Sequence, residues 1–229
     1  GYYQDMLFIN KGQGRFEISK AVPSEKYPGS CICAADIDGD GDQDLFVGSR
    51  CIPGRYPEAP GHLLLINDAG ILRNAAESML NIPGNGMMVS DALFEDLDHD
   101  GHPELIVVSE YGPVRVFDFS GGKAVEKTND FGLDQCSGLW RSITAADVNG
   151  DGFTDLIAGN YGLNSHFKAS ADRPLEIYHG DFDKNGSLDA VVCQYENDNC
   201  YPVLYRDRLL DQMVFLKKKE KRQWQLRVL

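Results

Sequence analysis

The chain has 229 residues, 42% hydrophobic and 25% charged, figures of a globular protein long enough to bury a core as one domain or two small ones. No apolar run approaches the roughly 18 residues of a membrane span, and 35 acidic against 22 basic residues, a net charge of −13, argue against a nucleic-acid binder that works by counterion release. The acidity is uneven in kind: 24 Asp stand beside 11 Glu and 24 Gly, and Asp with Gly belongs to turns and oxygen-ligand loops, whereas helical surfaces favour Glu.

In chain order, the start Gly1-Tyr2-Tyr3-Gln4 has no initiator Met, basic n-region or apolar h-region. It reads as a processed or trimmed end that leaves export open. Met6-Leu-Phe-Ile9 turns through Asn10-Lys-Gly-Gln-Gly14 into Arg15-Phe-Glu-Ile18, a hairpin. Short apolar runs then predict strands at 31–35, 45–47, 62–66 and 71–72, again at 91–95, 105–108, 114–117 and 124–125, and again at 142–146, 156–157 and 190–192. Residues 205–216 look helical, and the tail 217–229, with six basic residues and one acidic, stands apart in composition.

Between the paired strands one pattern recurs four times: Asp36-Ile-Asp-Gly-Asp-Gly-Asp-Gln-Asp44, Asp96-Leu-Asp-His-Asp-Gly-His-Pro-Glu104, Asp147-Val-Asn-Gly-Asp-Gly-Phe-Thr-Asp155 and Asp181-Phe-Asp-Lys-Asn-Gly-Ser-Leu-Asp189. Oxygens at positions 1, 3 and 5 of a tight loop converge on one point, and a Ca²⁺ ion takes about six to eight of them. The expected side-chain ligands are Asp36, Asp38, Asp40 and Asp44; Asp96, Asp98, Asp100 and Glu104; Asp147, Asn149, Asp151 and Asp155; and Asp181, Asp183, Asn185 and Asp189. Position 7, namely Asp42, His102, Phe153 and Ser187, offers its backbone carbonyl, brought round by Gly41, Gly101, Gly152 and Gly186. Without a cation such crowded carboxylates would repel. These are not EF-hands: position 12 is Val47, Val107, Ala158 or Val192, and the flanks read as strands. The loops start 60, 51 and 34 residues apart, with two strands before each ion loop and two after, a spacing that suits the four-stranded blades of a β-propeller.

These loops, with the Ala-Ala-Asp lead-in and the trailing Leu156-Ile-Ala-Gly159, resemble the FG-GAP/VCBS repeats of integrin-α-like propellers. Val47-Gly-Ser-Arg-Cys-Ile-Pro-Gly-Arg-Tyr-Pro57, Gly138-Leu-Trp-Arg-Ser142 and Gly159-Asn-Tyr-Gly-Leu-Asn164 bring the likeness closest to bacterial VCBS-repeat surface and secreted proteins. The resemblance covers roughly residues 5–216. It implies an all-β propeller over 1–216, with repeats around 5–30, 31–80, 89–130 and 141–195, up to four structural Ca²⁺ ions, and a short helical segment before the tail. Propellers of this family commonly close with about seven blades; this chain fits part of a larger ring, a segment of a longer parent or a small ring closed by its ends.

The expected function is a calcium-stabilised binding or scaffolding module of an exported bacterial protein, extracellular, on the outer-membrane surface or periplasmic, with any membrane anchor outside this chain. Its partner is a protein or glycan, not nucleic acid. Two long connections are the candidate partner surfaces: 50–61, with Arg50, Arg55 and Tyr56 among three prolines, and 161–174, with His166 and Arg173. Their alternative reading is blade connections that pack on their neighbours. No nucleophile elbow, Walker loop or zincin motif is present; the competing class is a polysaccharide lyase or glycoside hydrolase on a propeller scaffold, with His166, His179 and Arg55 as its test residues. Six cysteines leave the compartment open, Cys193 and Cys200 being either a pair across a hairpin or buried small hydrophobes.

Overall fold

The structure, a computed structural model, describes residues 4–80, 82, 87–162 and 165–213; the basic tail 217–229 lies outside them. The chain divides into two compact units, Gly1–Pro53 with Glu58–Gly162, and Gly54–Pro57 with Leu163–Leu229. Among the described residues no helix is long and apolar enough to cross a membrane.

The first unit is all antiparallel sheet with one helical turn, α1 (Ala76–Met79). A separate hairpin, β1 (Leu7–Asn10) and β2 (Phe16–Ser19), sets Phe8 opposite Ile18 and Asn10 opposite Phe16. β3 (Gly29–Ala35), β4 (Asp44–Ser49), β5 (Leu63–Asp68) and β6 (Ile71–Asn74) form a four-stranded meander in chain order. β7 (Met88–Glu95), β8 (Glu104–Gly112), β9 (Arg115–Asp118) and β10 (Val125–Glu126) repeat it. Beyond them β11 (Gly138–Ala146) pairs with β12 (Asp155–Asn160) and touches the end of β8, where Leu139 faces Glu110. Two of the expected units therefore carry four strands. Among the described residues the third carries two, since its chain runs only 34 residues to the next loop and part of the connection is spent on a tight turn closed by reciprocal Ser170 and Arg173 backbone bonds.

Alternation along the strands decides how the sheets stack. One face of the β7–β10 sheet, with Leu105, Val107 and Phe117, meets Phe46 and Leu64 of the preceding sheet. Its other face, with Ile106, Val108 and Val116, meets Ile143, Leu156 and Ala158 of β11 and β12. A central sheet covered on both faces reads as a continuous apolar run, as Leu105-Ile-Val-Val108 does. Each such fully buried side chain contributes about 1.5–3 kcal/mol. The first strands of successive units are stitched by side chains: Ser30 Oγ donates to Val89 O (2.7 Å) and Ser90 Oγ to Trp140 O (2.8 Å).

The second unit holds a three-stranded sheet of β13 (Glu176–Gly180), β14 (Asp189–Glu196) and β15 (Asn199–Pro202), then α2 (Arg206–Gln212). Val191, Cys193 and Met213 form its small core, with Cys200 and Leu209 against it. The helix expected at 205–216 is α2 over its described part. All six cysteines are free thiols. Cys193 stands opposite Pro202 and Cys200 opposite Tyr195, so these two are diagonal neighbours joined by a thiol hydrogen bond.

Candidate metal centres and a charged stripe

Each acidic loop joins the first and second strands of its unit, so that one strand precedes it and not the expected two, and all four are built on one hydrogen-bond skeleton. The first Asp accepts the N–H of the position-6 glycine: Asp36 from Gly41 (2.9 Å), Asp96 from Gly101 (3.0 Å), Asp147 from Gly152 (2.9 Å) and Asp181 from Gly186 (3.0 Å). Position 3 accepts from the amide of position 5 in Asp38, Asp98, Asn149 and Asp183. Position 5 accepts from the amide of position 7, so Asp40, Asp100, Asp151 and Asn185 hold Asp42, His102, Phe153 and Ser187. Position 9 reaches back to the amide of position 2: Asp44 to Ile37, Glu104 to Leu97, Asp155 to Val148 and Asp189 to Phe182, at 2.8–3.1 Å.

The turn needs left-handed backbone at two places. Position 6 is glycine throughout, with φ of 87–93°. Position 4, which composition alone does not single out, is also left-handed: Gly39, His99, Gly150 and Lys184 have φ of 79°, 60°, 78° and 61°. His99 thus holds a backbone position, its ring 5.9 Å from that of Phe153 in the next loop.

Three groups bring carboxylate oxygens within 4.8 Å of one another: Asp36, Asp38 and Asp40; Asp96, Asp98 and Glu104; and Asp181, Asp183 and Asp189. Oxygens about 2.4 Å from a shared ion lie at most about 4.8 Å apart, so the spacing and the all-oxygen donor set fit a hard divalent cation. The third loop is not among these groups. Its position 3 is Asn149, whose Nδ2 donates to Asp151 (2.9 Å).

The loops also differ at position 9. Asp44 is fully buried and accepts two amides, Ile37 N–H (2.9 Å) and Asn67 N–H from β5 (2.8 Å). Burial pushes its pKa, and that of Glu104, upward against those bonds. Asp147, at position 1, lies in the open and is held below the ordinary carboxylate value by the Gly152 amide first and by its neighbours after it. Asp42, expected to serve through its carbonyl, also uses its carboxylate to accept Ala69 N–H (2.8 Å).

At the opposite ends of the same strands runs a charged stripe. Arg50, Glu110 and Tyr161 each lie fourteen residues after the first Asp of their loops. Arg50 grips the nearly buried Glu110 carboxylate with Nε (3.0 Å) and a terminal nitrogen (3.2 Å). Arg141 adds a third bond to it (2.6 Å) and lies 5.3 Å over the Tyr161 ring. Arg141 occupies the place that Ser30 and Ser90 hold in the earlier units, six residues before the loop. Reading the repeats in register would have found this stripe; of its members only Arg50 was expected to be functional.

Of the other candidates, Arg55 is exposed and Tyr56 half-buried, while Pro57, Ala59 and Pro60 are buried. Arg173 is exposed and paired with Asp198 (3.0 Å), and His166 and His179 are exposed. Trp140 packs on the second core and donates from Nε1 to the carbonyls of Gly112 and Cys136. His62 is buried. Its Nδ1 accepts Ser49 N–H (3.2 Å), its Nε2 has no partner among the described residues, and burial pushes its pKa down to about 4.

Loop skeleton, sheet repeat and residue pattern agree with a comparison against known families. The FG-GAP-like repeat matches residues 1–47 and 96–158. Those segments contain the first three acidic loops. The chain is also similar to integrin alpha-3 of Cricetulus griseus, 26% identical over 174 residues, 70% of this chain and 16% of that protein. To integrin alpha-3 of Mus musculus it is 26% identical over 179 residues, 72% of this chain and 17% of that protein. The chain thus spans about a sixth of the length of these relatives.

Proposed function

We propose that this chain is a calcium-stabilised β-propeller segment, of the VCBS-repeat kind found on exported bacterial proteins, and that it binds a protein or glycan partner without catalysing a reaction. The observation that carries this reading is the single hydrogen-bond skeleton shared by four acidic loops, three of which gather carboxylate oxygens at cation spacing. Each of those oxygens that accepts one amide retains a further lone pair for an ion. Positions 1, 3, 5 and 9 would hold Ca²⁺ with the carbonyl of position 7, and Asn149 and Asn185 would contribute amide oxygens. The ion's contribution is charge neutralisation and a fixed hairpin, which makes sheet stability depend on its supply. Four ions would move the net charge from −13 to about −5, as two charges per site require. The face-to-face stacking of the first unit's sheets supports reading them as blades.

Partner binding is assigned to the ends of the strands away from the loops. The Arg50–Glu110–Arg141–Tyr161 stripe offers two half-exposed guanidinium groups held in place by a buried carboxylate, and Arg with Tyr dominates binding hot spots. The exposed Arg55, His166 and Arg173 are further contact candidates.

The test is metal-dependent melting with elemental analysis. Chelation should lower the melting temperature, and Ca²⁺ should restore it better than Mg²⁺, whose tighter octahedral shell these long loops suit less well. Melting indifferent to chelator, with no calcium bound, would sink the metal reading.

A further inference from the structure

β14 and β15 form a hairpin closed by the two-residue turn Asn197-Asp198, with Glu196 opposite Asn199 and Tyr195 opposite Cys200. Side chains alternate faces along a strand, so Cys193, two residues before Tyr195, comes out on the same face as Cys200. The two thiols are diagonal neighbours hydrogen-bonded to each other, and both pack in the core with Val191, Leu209 and Met213. Neither belongs to the acidic loops or to the charged stripe.

Diagonal partners stand about 7–8 Å apart at Cα, with their Cβ atoms closer. A disulfide usually spans about 4.4–6.8 Å at Cα, so bridging this pair asks the strands to close by about 1 Å. β15 is suited to give that much, being four residues long and the last strand of its sheet among the described residues. Cys31 and Cys33 are no rival pair. They point the same way from one strand, opposite Gly48 and Phe46, and bridging them would break that pairing.

The size of the core sets what a cross-link is worth. The second unit rests on three strands, one seven-residue helix and a core of Val191, Cys193 and Met213. Folds with so little buried apolar surface are the ones that disulfides staple.

We propose that Cys193 and Cys200 form a disulfide that staples the β14–β15 hairpin when the chain meets a small-molecule disulfide oxidant. Cys200, the more exposed of the two, attacks as its thiolate one sulfur of the oxidant. That gives a mixed disulfide and releases one thiol; the Cys193 thiolate then displaces the second. One S–S bond forms and one breaks, the two cysteine protons pass to the departing thiolates, and the two electrons reduce the oxidant. Thiol reductants reverse the step, so the staple holds in oxidising compartments and opens in reducing ones.

Burial pushes both thiols above their ordinary value, Cys193 to about 11, which slows the exchange at neutral pH. The test therefore incubates the native full chain, with calcium held constant, in oxidised glutathione at about pH 8.5, where more thiolate is present. Alkylation and trypsin follow. Both cysteines lie in one tryptic peptide, 185–206, because no Lys or Arg falls between Lys184 and Arg206. That peptide should be recovered unalkylated and lighter by two hydrogens. Cys193→Ser, which removes the resolving thiol, should stop at a glutathione adduct on Cys200, whereas Cys200→Ser should leave Cys193 open to alkylation once unfolded. Recovery of the wild-type peptide with both cysteines alkylated, or bridged to another segment, overturns the proposal. A Cys193→Ser chain whose Cys200 resists glutathione overturns the proposed route. The wild-type peptide decides alone should a variant fail to fold.

Discussion

Replacing Asp44 by Ala isolates what the position-9 carboxylate does apart from any ion. In the wild type its two oxygens take the amides of Ile37 and Asn67 in a fully buried site. The substitution leaves two N–H groups without that acceptor. Hydrogen bonds to a charged group contribute about 1.5–3 kcal/mol each. The cost of burying the charge, visible in the raised pKa of Asp44, offsets part of this, leaving a loss of about 3 kcal/mol. Asp155→Ala is the matched control: the residue is half-exposed and accepts one amide, so its loss is about 1 kcal/mol. Urea unfolding of both variants, in saturating Ca²⁺ and again in chelator, gives the comparison. The difference between them should persist in chelator, because it comes from backbone donors. Equal losses that both vanish on chelation would mean position 9 acts only as an ion ligand, and would refute the latch.

Three other substitutions probe the fold. Gly48→Ala places a methyl 2.5 Å from Val89 Cγ1 and 2.6 Å from Cys31 Sγ; overpacking should cost about 1–3 kcal/mol, while Gly61→Ala, with open space around it, should be near neutral in the same melt. His62 takes its proton at about 4 in the fold against 6.5 ordinarily, so as pH falls below 6.5 the unfolded chain gains a proton that the native state refuses. Stability present at neutral pH is thereby lost, about 2 kcal/mol of it by pH 5; His62→Phe should flatten that slope, and an unchanged slope would clear His62. Arg50→Ala and Arg141→Ala both withdraw support from Glu110; a double-mutant cycle should show non-additivity of about 0.5–3 kcal/mol, and strict additivity would mean the stripe is not one network.

The loops were legible because their chemistry is local. A nine-residue segment that must turn twice and converge its oxygens has few solutions, and Gly41, Gly101, Gly152 and Gly186 mark where it turns. The flanking strands followed from short apolar runs. The second left-handed position escaped notice because His99 and Lys184 occupy it in two loops, and neither residue advertises a positive φ. The stripe was illegible residue by residue, since Arg50, Glu110 and Arg141 lie far apart in the chain and meet only when the units stack. The two-strand third unit was signalled by the 34-residue interval, but which strands were lost depended on how 161–174 folds.

The repeated skeleton also bears on the order of events in folding. Every loop satisfies its own amides with its own carboxylates, so the turn is favoured locally before any sheet exists, and its closure costs little entropy. What the loop lacks is relief from the repulsion among its charges, which the amides reduce only in part. Long-range docking then supplies different relief in each unit. In the first, Asn67 from β5 completes Asp44, so part of the loop's charge is answered by the sheet itself. In the third, no described strand does this for Asp155, and its remaining oxygen stays available to an ion. Charge at the first loop is therefore answered in part by the sheet, whereas at the third it falls to the ion.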